Sequence, residues 1–120
     1  MIINNEDKLW RVIKEQQLKR NGTLKFTFFK DASGLSCDLA KLTNLQKMLN
    51  RKEFVSIAEK AGVREFDAAT VRSAEIDSDV IHQPEPDNDA HCVFDINKPL
   101  DTHKCKLMVE LSKNIKEPNY

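Results

Sequence analysis

Asp79-Val80-Ile81-His82-Gln83-Pro84-Glu85-Pro86-Asp87-Asn88-Asp89-Ala90-His91-Cys92-Val93-Phe94-Asp95-Ile96 is the stretch on which the fold turns. Val80 and Ile81 favour extended backbone, and Pro84 ends that run because it cannot donate to a strand ladder. Residues 84–89 form an acidic loop framed by two prolines, each of which biases the residue before it away from helix. Apolar residues resume at Cys92, Val93, Phe94 and Ile96, so residues 90–96 read as the returning strand of a hairpin.

Outward from this hairpin the pattern is mixed. Downstream, Pro99 suits a first helical position, and Cys105, Met108, Val109, Leu111 and Ile115 make a helical stripe closed by Pro118. Upstream, Asp67 is a cap for a short helix over residues 68–75, with Val71 inward and Arg72 near its middle. Residues 63–66 suit a short extended piece. Phe54, Ile57, Ala58 and Ala61 have helical spacing and end at Gly62, while Thr43 and Gln46 have capping-box spacing for a helix carrying Leu45, Met48 and Leu49. The Phe- and Thr-rich residues 23–30 read as a strand, residues 31–34 as a turn, and residues 35–38 as a second strand paired with the first. At the start, Asn4 or Asn5 caps a helix bearing Leu9, Trp10, Ile13 and Gln17 and stopped by Asn21-Gly22. The expectation is a single α+β domain over residues 1–120. Its small, mostly antiparallel sheet has two hairpins, about four strands in all, packed with three to five helices on one face.

At 120 residues the chain suits one core, and 40% hydrophobic with 32% charged residues is a globular composition. Lys plus Arg equals Asp plus Glu at 19 each, which removes the simplest case for a nucleic-acid or anionic-membrane partner. Lys14, Lys19, Arg20 and Lys25 cluster in sequence, as a solvated helix end and strand edge would. The first residues lack the basic and apolar regions of a signal peptide, no apolar run is long enough for a membrane helix, and the odd set Cys37, Cys92 and Cys105 suits reduced thiols. A cytoplasmic location is expected.

Three landmarks between about residues 25 and 115 carry a likeness: Phe29 with Gly34-Leu35-Ser36-Cys37-Asp38 and Leu42-Thr43; Val71-Arg72; and Pro84-Glu85-Pro86-Asp87-Asn88-Asp89-Ala90-His91. In these the chain resembles a family of small uncharacterised bacterial proteins with a GLSVD…LT segment and a P-x-P-x-N-P-A-H segment. It departs from that pattern at Cys37, where Val is usual, and at Asp89, where Pro is frequent. The resemblance implies positions of interest and no activity.

The reactive side chains concentrate late in the chain, as His82, His91, Cys92, His103 and Cys105. Their spacing argues against a shared metal, because neighbours on a strand face opposite ways and residues two apart on a helix diverge. No metal and no cofactor is expected, although a zinc-stabilised domain stays a second alternative. His91, at the junction of loop and strand, is the candidate acid/base, with Asp87, Asp89 or Asp95 to orient it. Ser36 and Asp38 should share one strand face, opposite Cys37, and a cluster of Ser36, Asp38, Arg72 and His91 follows if the hairpins share a sheet. No G-x-S-x-G elbow surrounds Ser36. The alternating phenylalanines 26, 28 and 29 suit core better than a base-stacking surface.

Two functions follow. The first is a binding or accessory module that works through a protein partner, with Asp87, Asn88 and Asp89 as its exposed binding loop. The alternative is a small hydrolase or nuclease acting on RNA or a nucleotide, with His91 as acid/base and Arg72 as anion holder.

Overall fold

Leu9, Trp10, Val12 and Ile13 lie on a strand, β1 (Lys8–Ile13), and not on a helix. The computed structural model describes residues 1–30 and 34–120, and β1 is central in its one sheet. The other strands are β2 (Ser36–Leu39), β3 (Gly62–Asp67), β4 (Val80–His82), β5 (His91–Phe94) and β6 (Lys113–Lys116). All pairings are antiparallel, in the order β4-β5-β2-β1-β3-β6. Among the described residues three α-helices accompany the sheet, α1 (Leu45–Leu49), α2 (Ala68–Arg72) and α3 (Thr102–Leu111), and of these only α3 has more than five residues. The expected α+β domain, with two hairpins and three to five helices, is corrected by this architecture: six strands dominate a single domain. The turn expected at residues 31–34 falls, for its first three residues, outside the described part. Among the described residues no helix is long and apolar enough to cross a membrane.

Both faces of the sheet are covered, which explains why β1 looks helical. Leu9 and Ile13 point into the main core with Leu39, Phe66, Cys92 and Phe94, under α3 and Phe28–Phe29. Val12 points the other way, into a second cluster with Met48, Leu49, Ala61 and Val63, against which Trp10, Phe54 and Ile57 pack. A strand apolar on both sides loses its period-two signature, and four apolar residues in five then fit a helix equally well.

The strand expected over residues 23–30 is instead a 3₁₀ turn, Phe26–Phe29. Phe28 and Phe29 are both buried and stack edge to face at 4.9 Å, with Phe29 on Phe66 at 5.4 Å. Adjacent residues of a strand cannot both enter one core, whereas a tight helical turn allows it. Strand β2 therefore pairs with β1 and β5. Caps are partly as expected: Asp67 accepts from Thr70 N at 2.8 Å, but Asn44, not Thr43, caps α1 and Asp101 caps α3. Residues 54–61 hold only a 3₁₀ turn, Val55–Ile57, though their apolar side does pack inward.

The last helix ends at Leu111, and residues 113–116 become an edge strand where helix was expected to about Ile115. Arg64 on β3 sets this boundary. Its Nε donates to Ser112 Oγ at 2.8 Å, one terminal nitrogen to Asn114 Oδ1 at 2.7 Å, and the other to Val109 O at 2.8 Å. Gly62 completes the junction, because a Cβ there would sit 2.8 Å from Pro118 Cδ and 3.0 Å from Lys116 O. Arg64→Met is expected to cost about 2 kcal/mol in urea unfolding, since three charged hydrogen bonds are lost and Ser112 Oγ alone still donates to Val109 O. A loss within error of zero would show that water replaces the guanidinium.

Four carboxylates, Asp7, Glu53, Asp67 and Asp79, are held below their ordinary values, and two of them show how the fold is tied to pH. Burial pushes Asp67 up, but hydrogen bonds from Thr70 and the charge of Lys8 hold it below its ordinary 3.8. Burial likewise pushes Asp79 up, and Arg72, bonded at 2.8 Å, with Val80 N brings it below 3.8. Depressed folded-state values make this stability complete above 3.8 and lost as pH falls through the lowered values. The urea midpoint is expected to drop below about pH 4 and to drop less steeply in Asp67→Asn. Equal slopes in the two proteins would remove Asp67 from the account.

Candidate functional site

The sheet face opposite the main core carries a polar row across four strands: Glu65, Trp10, Asp38 and His91 are direct neighbours by register. Trp10 Nε1 donates to Glu65 Oε2 at 2.9 Å within it. Ser36, two residues from Asp38 on β2, shares that face. The segment after α1 forms one wall through Arg51 and Phe54, and the acidic loop forms the other through Glu85 and Asn88. Between them lies a cleft of about 340 Å³.

Hydrogen-bond logic orders the protons at its floor. His91 Nδ1 lies 2.8 Å from Gln83 O, and a carbonyl only accepts, so Nδ1 carries hydrogen. In the neutral ring Nε2 is then the acceptor, and Ser36 Oγ, 3.2 Å away, donates its hydroxyl proton to it. Glu85 Oε1 stands 3.5 Å from the same Nε2, placed to pair with the ring when it is protonated. The imidazole is mostly covered, with 13% of its side chain exposed, while Ser36 is open to solvent. Arg11 donates to the Ser36 carbonyl at 2.5 Å, with its guanidinium over the Phe28 ring at 4.9 Å on the main-core side of the sheet.

Asp38 does not orient His91. Its side chain is 3% exposed, pairs with Arg51 through one oxygen and accepts from Asn88 Nδ2 at 3.0 Å through the other. It thus pins both walls of the cleft to β2. Burial alone disfavours the Arg51 cation, but the bond and charge of Asp38, with Glu53 at 2.8 Å, hold the guanidinium above its ordinary value. Asn88 is spent in the same way, since its Oδ1 accepts from Ala90 N at 3.1 Å.

Of the residues singled out by sequence, Ser36, Asp38 and His91 therefore meet in one cleft. Arg72 does not join them: it bonds Asp79 and, at 3.0 Å, Asn5 Oδ1, on α2. In the loop, Asp87 is exposed, Asn88 is buried, and Asp89 lies 3.5 Å from Lys47. His82 reaches Asp89 O at 2.7 Å, His103 is exposed, and Cys92 and Cys105 are buried in the core. No group of three potential ligands is placed to hold a metal ion among the described residues. Arg51, Arg11, Trp10 and Glu85 carry no sequence signal for the cleft, because only sheet register and the path after α1 bring them there. No protein-family model, curated protein or solved structure matches the chain.

Proposed function

We propose that the chain is a small hydrolase in which Ser36 is the nucleophile and His91 its general base. The hydroxyl–imidazole pair, with Nδ1 held by a backbone carbonyl, is the observation that carries this reading. It is the arrangement that lets a serine lose its proton as it attacks and lets the imidazole return that proton to the leaving group. Gln83 O takes the orienting place that a carboxylate fills in a triad.

The substrate class follows from charge and volume. Three cations that line the cleft (Arg11, Lys14, Arg51) are matched by three carboxylates (Asp38, Glu53, Glu85). This balance favours an uncharged ester over RNA or a nucleotide, which need a surplus of positive charge. The volume fits a compact molecule, with Trp10, Met48 and Phe54 as its apolar contact. The partner-module reading draws little from the acidic loop, whose Asn88 is turned inward to Asp38.

A fluorophosphonate probe tests the reading directly, because an activated serine hydroxyl is phosphonylated by it with loss of fluoride. An adduct mapped to Ser36 and missing in His91→Gln supports it. No adduct on Ser36, or equal labelling in the variant, overturns it.

A further inference from the structure

Cys37 and Cys92 are direct partners on adjacent strands, flanked on one side by Ser36 opposite Val93 and on the other by Asp38 opposite His91. Both side chains enter the main core, 4% and 0% exposed. The bonds Leu39 N to Ala90 O and Phe94 N to Leu35 O mark hydrogen-bonded pairs two residues to either side. Antiparallel pairs alternate, so Cys37 and Cys92 also form a hydrogen-bonded pair, with Cα atoms about 5.5 Å apart. That separation lies within the span a disulfide bridges. Cys92 Sγ is directed at Ala90 O at 3.4 Å. Cys105 sits apart, its Sγ directed at Phe29 O at 3.5 Å.

We propose that Cys37 and Cys92 are a redox modification site, closing to a cross-strand disulfide behind the cleft when a hydroperoxide is the oxidant. One thiol, as thiolate, attacks the terminal peroxide oxygen and becomes a sulfenic acid, while the O–O bond breaks and the other oxygen leaves with a proton as the alcohol, or as water from hydrogen peroxide. The second sulfur then displaces the sulfenic hydroxyl, which leaves as water, so two thiols are oxidised by two electrons and one peroxide is reduced. Burial, first of all, holds the Cys37 thiol well above its usual range, as does the neighbouring Cys92 thiol. The reaction is therefore slow, and it proceeds when the β4–β5 hairpin, at the sheet edge, opens. The bond ties β2 to β5 between the rows that carry Ser36 and His91. It stands whether or not the chain is a hydrolase.

Treatment of the full native chain with hydrogen peroxide tests it, followed by alkylation in denaturant, intact mass and peptide mapping. The expected product is about 2 Da lighter before alkylation, takes up one alkyl group in place of three, links the Cys37 and Cys92 peptides, and reverts with dithiothreitol. Its melting temperature rises, as closure of a long loop constrains the unfolded chain. Cys37→Ser and Cys92→Ser chains each fail to close this link. A link through Cys105, links only between chains, or no link once the exposed Met1 has become its sulfoxide overturns the proposal.

Discussion

Arg51→Met is expected to lower the unfolding free energy by about 3 kcal/mol, the lower end of what removal of one partner from a buried ion pair costs. The carboxylate it abandons has 3% of its side chain exposed, so water cannot take the place of the guanidinium without opening the fold. Two features keep the loss from the upper end. Asn88 still donates to Asp38, and Arg51, at 14% exposed, already touches solvent. Because the pair is covered, the loss should persist in high salt, unlike that of a surface pair. A double mutant, Arg51→Met with Asp38→Asn, should recover part of it, since the unpaired charge is gone. A single-variant loss under about 1 kcal/mol, or one that vanishes in salt, would mean that Asp38 is hydrated and pins neither wall.

Ser36→Ala should lower kcat/KM for a small chromogenic ester by about 10²–10⁴, with His91→Gln losing a similar amount. The double variant should lose no more than either single one, because the two groups act as one unit. Ser36 is exposed and, among the described residues, its hydroxyl bonds only His91, so the melting temperature of Ser36→Ala should stay near that of the parent. Arg72→Ala supplies the contrast: it should leave kcat/KM unchanged while it loosens α2, since Arg72 holds Asp79 and Asn5 away from the cleft. Equal activity in Ser36→Ala and parent would end the nucleophile assignment. If His91→Gln alone were impaired, His91 would be acting directly on water.

The candidate cluster was partly legible. Period-two alternation by itself puts Ser36 and Asp38 on one face and Cys37 on the other, and β2 has that alternation. That His91 faces the pair depends on β2 lying beside β5, a contact between residues more than fifty apart in the chain. Arg72 looked suitable because it is a lone cation in a short helix, but its partner is seven residues away on the same side of the fold. The cation that reaches Asp38 is Arg51, on an irregular segment with neither periodicity nor motif to mark it.

The sequence by itself determined what rests on local chemistry: the Asp67 cap on α2, the extended residues 63–66, and the hairpin about the loop bounded by Pro84 and Pro86. Caps, turns and alternation act over a few residues, so the residues that cause them are the residues that show them. Tertiary structure decided the rest. Leu9 to Ile13 is a strand because two cores claim its two faces, and residues 113–116 leave the helix because Arg64, from β3, takes the carbonyl and hydroxyl at its end. In both places backbone groups with adequate local helical partners are held by distant ones, since only the strand arrangement buries Leu9 and Val12 on opposite sides at once.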